Sequence, residues 1–221
     1  VADNLLYGSE SIKKFGEHPN FKLMEFDLRN ISSIIAAVKD VDQVVYLAEL
    51  VGDPVTHFSP KSTIETNFLS VLTFANLCKY AKINNFVYAS SCSVYGESRE
   101  KKVNEESALN PVSLYAQMKI LCENMLLDLA RNSDSFMPVI LRFATVFGLS
   151  LRPRFDLIVN RFAGDAMEKE EITVFGGEQW RPFIHVKDLA RAIYLSLKSN
   201  VDEIGAQIYN VGDSRLNYPI N

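Results

Sequence analysis

A repeated change of hydrophobic period restricts this chain more than any other feature of its sequence. Short apolar runs at Asp42–Ala48, Asn85–Ala89 and Met137–Phe143 have the length and the β-branched and aromatic content of buried strands. Between them lie segments with helical spacing: 60–80, with apolar residues at 64, 68, 71, 72, 75 and 78, and 113–131. Nearer the start, Val1–Gly8 reads as a strand end followed by a loop, and Phe21–Asp27 alternates as a short strand. Asn30–Lys39 places apolar residues at 31, 34, 35 and 38, the spacing of a helix. Strands that come singly, each followed by a helix, pair in parallel and are covered by those helices. The expected class is α/β, with a doubly wound parallel sheet.

The character changes after Gly148. Leu151–Asp156 is a basic, irregular link, and Phe155–Met167 has helical spacing. Glu171–Gly176 is expected to form a short strand, Trp180–Asp188 to lead into a helix ending near Lys198, and Gln207–Gly212 to form a last strand. The expected division is a nucleotide-binding domain over 1–148 and a small α+β lobe over 149–221 that returns elements to the first sheet. With 221 residues the chain can build one large core or two small ones. A net charge of −4 gives no electrostatic case for nucleic acid or an anionic membrane as partner. No apolar run reaches the roughly 20 residues of a spanning helix, and no signal peptide is present, so the cytoplasm is the expected compartment. Cys78, Cys92 and Cys122, like His18, His57 and His185, are too scattered for a disulfide framework or a metal site.

The chemistry concentrates between Phe86 and Lys119. The apolar run there ends in Ser90-Ser91-Cys92-Ser93-Val94-Tyr95-Gly96, a buried strand opening into a loop. Glu97–Asn110 is polar and reads as loop, and Pro111 and Ser113 prepare the next helix. On that helix Tyr115 precedes Lys119 by one turn, so both side chains leave the same face. A phenol beside an ammonium is a general acid/base whose pKa is expected to fall below its usual value of about 10. Ser91, at the strand end, is placed to meet them. A Tyr-x-x-x-Lys pair by itself is common; behind Ser-Ser-x-x-Val-Tyr-Gly it carries weight. Ser90 and Cys92 read as packing residues, His185 as a packed histidine, and Asp188 as the N-cap of the helix that follows. Arg152 and Arg154 fit either a solvated link or a phosphate grip. Glu49 has no evident partner in the sequence.

With these motifs in order, the whole chain resembles the extended short-chain dehydrogenases/reductases, in their NAD-dependent sugar-nucleotide epimerase/dehydratase group. The resemblance implies a Rossmann-type fold, NAD as cofactor and a nucleotide sugar as substrate. It implies a catalytic trio of Ser91, Tyr115 and Lys119, and ribose binding by Asp3 and Asn4, where a carboxylate disfavours a 2′-phosphate. Asp27 and Leu28 fall where the family contacts adenine. Leu47 and Ala48 fall in a turn beside the pyrophosphate and nicotinamide ribose, and Asn67 where an asparagine buttresses the site. Ser93, Thr145 and Arg181 fall at substrate positions, the arginine suited to a diphosphate. The family's pairing of helices 63–80 and 113–131 across a dyad implies a homodimer.

Departures from the pattern narrow the expected reaction. The family's glycine-rich phosphate loop is absent, so the chain is expected to be part of a longer protein, with a first strand in front and a further piece behind. Tyr46 and Glu49 replace a histidine and an alanine of the pyrophosphate turn, and Thr145 replaces an asparagine. Cys92-Ser93 stands where 4,6-dehydratases carry an Asp-Glu pair, so the acid and base for eliminating water are missing. The expected reaction is epimerisation through a keto-sugar. Dehydration, net reduction and a non-catalytic dinucleotide-binding scaffold are the alternatives.

Overall fold

The computed structural model describes residues 1–98, 102–175 and 177–220. In chain order the elements are β1 (Ala2–Asp3), α1 (Glu10–Lys13), β2 (Met24–Glu25), α2 (Ile31–Val38), β3 (Gln43–Tyr46), α3 (Asp53–Phe58) and α4 (Pro60–Ile64). A π-helical turn (Glu65–Leu69), α5 (Ser70–Tyr80), β4 (Asn85–Ser91), a 3-10 turn (Cys92–Tyr95), α6 (Leu114–Arg131) and β5 (Met137–Phe143) follow. The remainder is β6 (Thr145–Phe147), α7 (Ile158–Lys169), β7 (Trp180–His185), α8 (Val186–Lys198), α9 (Val201–Ile204), β8 (Gln207–Val211), a second 3-10 turn (Ser214–Leu216) and β9 (Asn217–Pro219).

The central sheet is parallel throughout, in the order β3-β4-β5-β8. Phe86 and Tyr88 of β4 face a core completed by Ile34 of α2, Val71 and Phe74 of α5 and Leu126 of α6. Val87, on the opposite face, packs with Val139, Leu141 and Phe143 of β5 under Leu189, Ile193 and Leu197 of α8. A strand covered on both faces needs apolar residues at every position, which is why β4 and β5 read as continuous runs. β1 and β2 form a separate parallel pair, and β6, β7 and β9 a second small sheet in which β9 is antiparallel. Phe26 and Leu28, following β2, pack on the main core, and Arg29 reaches Glu65 of the π-turn at 3.6 Å.

Several elements depart from the expectations above. The strand expected at 21–27 narrows to β2. The strand expected at 171–176 does not form: residues 171–175 lie outside any strand with their side chains exposed, and Gly176 is outside the described residues. The strand of that region is β7, whose Phe183 and Ile184 are buried. Burial decides between the two, because an alternating segment with no face to cover has little to hold it in a sheet. α8 is capped by His185, whose Nδ1 accepts the Lys187 N–H at 3.3 Å, and Asp188 sits in the first turn instead. The helix expected from Phe155 starts at Ile158. Residues 99–101 of the loop expected at 97–110 lie outside the described residues.

The helix expected over 60–80 contains the π-turn, which shifts its buried stripe. Thr63, Asn67, Ser70, Val71, Phe74, Ala75 and Cys78 face inward, while Ile64 is 40% exposed. One added residue per turn rotates the polar Asn67 inward, and the Glu65 carbonyl accepts both the Ser70 N–H and, at 2.9 Å, the Ser70 hydroxyl.

Gly96 ends the 3-10 turn at φ 54, ψ −133, a region that only glycine occupies without strain. A Cβ there would stand 1.7 Å from the Asn110 carbonyl oxygen, in the loop tied down by the Asn110 N–H to Val94 O at 3.0 Å. Gly96→Ala is expected to lower stability by at least the roughly 1–3 kcal/mol of backbone strain alone. Urea denaturation checks this, and an unchanged midpoint would contradict the geometry.

Candidate active site

The parallel strands β3 and β4 end side by side, with Tyr46 paired to Tyr88. Chain leaving β3 carries Leu47, Ala48 and Glu49, and chain leaving β4 carries Ser91 and then the 3-10 turn. Ser91 opens that turn as its N-cap, its Oγ accepting the Ser93 N–H at 3.2 Å. The start of α6 comes to the same place. Ser113 caps it by accepting the Ala116 N–H at 3.3 Å, which fixes where the first turn, and hence Tyr115, begins.

Ser91, Tyr115 and Lys119 converge here. Ser91 lies near enough to the Tyr115 phenol to pull its pKa down. The Lys119 ammonium lies 5.4 Å from the Tyr115 ring centroid and 4.7 Å from that of Tyr88, and it donates to the Ala89 carbonyl. Its ion-pair partner is Glu49, whose Oε2 is 2.5 Å from Lys119 Nζ. Glu49 Oε1 accepts the Tyr88 hydroxyl at 2.7 Å. Both charged side chains are only 4% exposed. Nothing in the sequence joins Glu49 to Lys119; only the fold does.

The electrostatics reverse one expectation. Tyr115 is pushed up from its ordinary value, not down: burial is the largest cause, Lys119 opposes it, and Glu49 adds to it. Burial works against the Lys119 ammonium, but the Glu49 carboxylate and then Tyr115 outweigh it and hold that pKa above the usual lysine range. Cys92 is pushed up to about 11 by burial, with Arg181 pulling the other way, so its thiol is not a ready nucleophile.

A second buried cluster supports the site. Arg142 of β5 grips Glu123 of α6 through two bonds, Nε–Oε1 at 3.0 Å and Nη2–Oε2 at 2.7 Å. Ser90 Oγ donates to the same carboxylate, and Arg142 Nη1 donates to the Tyr95 hydroxyl at 2.8 Å. Tyr95 in turn donates to Asn210 Oδ1 of β8 at 2.6 Å. These bonds tie together both sides of the strand end that presents Ser91. Glu123 lies one turn beyond Lys119, the one sequence signal that could have found it.

Other candidate residues surround this centre. Asp3 Oδ1 accepts the Leu5 N–H at 2.7 Å and Asn4 Oδ1 the Leu6 N–H at 3.1 Å, which shapes the loop after β1. Asp27 is held below the usual carboxylate range by its hydrogen bond to Arg29. Leu28 packs on the core, Leu47 is exposed and Ala48 half-buried. Asn67 clamps the backbone after Glu49: its Oδ1 accepts the Leu50 N–H at 2.8 Å and its Nδ2 donates to the Leu50 carbonyl at 2.7 Å. Ser93 Oγ is buried with no hydrogen-bond partner among the described residues, as is the Tyr46 hydroxyl. Thr145 is half-buried at the start of β6, and exposed Arg181 of β7 donates to Gln179 Oε1 at 3.1 Å. Arg154 pairs with Asp156, and Arg152 lies 3.4 Å from the Tyr7 ring centroid, binding the link before α7 to the loop after β1.

The model of the NAD dependent epimerase/dehydratase family matches residues 2–212. An uncharacterized UDP-glucose epimerase, YtcB, of Bacillus subtilis (strain 168) is 32% identical over 166 residues, covering 73% of this chain and 51% of that protein. Among solved structures, UDP-N-acetylglucosamine 4-epimerase from Methanobrevibacter ruminantium M1, in complex with UDP-N-acetylmuramic acid, is 29% identical. It superimposes with a TM-score of 0.89 over 100% of this chain and 70% of that one. MoeE5, in complex with UDP-glucuronic acid and NAD, is 27% identical with a TM-score of 0.82, covering 90% of this chain and 65% of that one. The chain spans about half the length of the curated relatives it matches.

Proposed function

Because the chain belongs to the NAD-dependent epimerase/dehydratase family, we propose that the protein carrying it epimerises a nucleotide sugar. One observation carries the proposal: Tyr115 stands beside Ser91 and is flanked by the Lys119 ammonium, at the carboxyl ends of parallel strands. That edge is where parallel α/β sheets bind ligands.

The donor set suits a dinucleotide. Asp3 offers a carboxylate for a ribose diol. Lys119 has three N–H donors, of which Ala89 O and Glu49 take two. Asp3, Asn4, Asp27, Leu28, Leu47, Ala48 and Asn67 would hold NAD together with Tyr115 and Lys119. When bound, NAD supplies a reversible hydride acceptor. Tyr115 Oη, as phenolate, takes the proton from a sugar hydroxyl as that carbon gives up its hydride. Ser91 donates a hydrogen bond to the same sugar oxygen, and Lys119 stabilises the phenolate. Once the keto-sugar has presented its other face to the cofactor, Tyr115 would return the proton to the same oxygen. The unpartnered Ser93 hydroxyl, with Thr145 and Arg181, would position the substrate, with 149–221 as its lobe.

Two finer readings go with this. A homodimer through helices 63–80 and 113–131 is supported by outward-facing Ile64, Leu69 and Leu121, each 40% exposed or more. A cytoplasmic setting is supported by three unpaired cysteines.

The test is a panel of UDP-, dTDP-, GDP- and CDP-sugars incubated with the full-length protein and followed by NMR. The expected result is inversion of one sugar centre with no steady consumption of added NAD. Loss of water, net reduction or no change with any sugar would overturn the proposal.

A further inference from the structure

Glu49 is a buried acid in the middle of the site that the reaction above does not use. Its backbone is fixed, because the carboxamide of Asn67 closes both hydrogen bonds of Leu50, and Cys122 Sγ donates to the Asn67 carbonyl at 3.0 Å. Both its oxygens are engaged, one by Tyr88 and one by Lys119. Lys119 is in turn held by Ala89 O and by the faces of Tyr88 and Tyr115. A carboxylate placed this way does two things to the ammonium. It fixes the ammonium's position, and it cancels part of the positive charge felt by the phenol.

We infer that Glu49 is a positioning residue that holds Lys119 against Tyr115 and sets the site to work at higher pH than an unaccompanied Tyr–Lys pair would. The inference rests on the reading of Tyr115 as the acid/base.

The groups around the three residues support it. Lys119 and Glu49 act on Tyr115, with Ser91 beside it and Arg154 contributing from the link before α7. Burial pushes the Glu49 carboxyl up from its ordinary value while Lys119 and then Tyr88 pull it back down; Glu49, Tyr115 and Cys122 act on Lys119, and the Glu49 charge is also felt by the Tyr46 hydroxyl. Among the described residues Glu49 is thus the carboxylate acting on Tyr115. Removing its charge leaves Lys119 unopposed, which favours the phenolate.

The experiment is a tyrosinate titration by ultraviolet difference absorbance on the full-length protein, with Tyr115→Phe subtracted to isolate one phenol. In the unsubstituted protein Tyr115 is expected to ionise above the ordinary tyrosine range, as its burial dictates. Glu49→Gln, which keeps an acceptor for Tyr88 and Lys119, is expected to lower that value measurably. The alkaline shift in the rate profile should move down with it. Glu49→Asp keeps the charge and should stay near the parent value. An unshifted or raised Tyr115 in Glu49→Gln overturns the inference. So does ionisation well below 10 in the unsubstituted protein, a measurement that needs no variant to fold. Failure of the catalytic reading looks different: turnover would survive Tyr115→Phe, whatever Glu49 does to the phenol.

Discussion

Tyr115→Phe is expected to lower turnover by about 10²–10⁴-fold while leaving the protein folded. The substitution removes one oxygen and keeps the ring against Lys119, so packing at the start of α6 changes little. What disappears is the hydroxyl beside Ser91 that would move a proton to and from a substrate hydroxyl. Ser91 cannot replace it, because a serine hydroxyl is a poor base, and one of its two lone pairs is already engaged by the Ser93 N–H. Affinity for NAD and for the nucleotide sugar should change by much less than the rate, since the remaining contacts are untouched. Single-turnover kinetics, with cofactor affinity measured separately, make the distinction. A rate within tenfold of the parent would remove Tyr115 from the chemistry.

The direction of the Tyr115 pKa shows where sequence and structure part. Spacing alone places Tyr115 and Lys119 on one helical face, and the apolar run into Ser91 identifies the strand end that meets them. These features depend on local period, and they are legible. Glu49 is not, because its partner is far along the chain and meets it only when β3 and β4 pair. Burial is not legible either, yet it is the largest influence on the phenol. The π-turn escapes for a similar reason: a stripe at 64, 68 and 72 scores as an ordinary helix, and only the polar Thr63, Asn67 and Ser70 found inside reveal the rotation. At 171–176 the strand pattern is present but has nothing to cover, whereas β7 has Phe183 and Ile184 to bury. Local pattern identifies what an element could be, and the available core decides whether it forms.

The same logic makes the Glu123–Arg142 pair a vulnerable point in the fold outside the apolar core. Glu123→Ala is expected to cost about 3–5 kcal/mol, because it strands a guanidinium whose side chain is 2% exposed. For a chain of this length, each kcal/mol shifts Tm by roughly 2–4 °C, so a fall of about 6–20 °C should appear in a thermal melt. Exposed pairs such as Arg131–Asp128 set the contrast, since water screens them and their removal should cost far less. A double variant, Glu123→Leu with Arg142→Met, separates lost charge pairing from lost packing. It removes both charges and should recover most of the stability, because apolar residues of similar volume commonly replace a buried pair at no net cost. Activity should not recover with it. Tyr95 would keep Asn210 but lose its Arg142 donor, and Ser90 would lose Glu123, so the strand end that presents Ser91 would be less well held. A double variant that is stable and also fully active would mean that the cluster serves folding alone. A Glu123→Ala protein that melts with the parent would mean that Arg142 finds water or another partner inside the core.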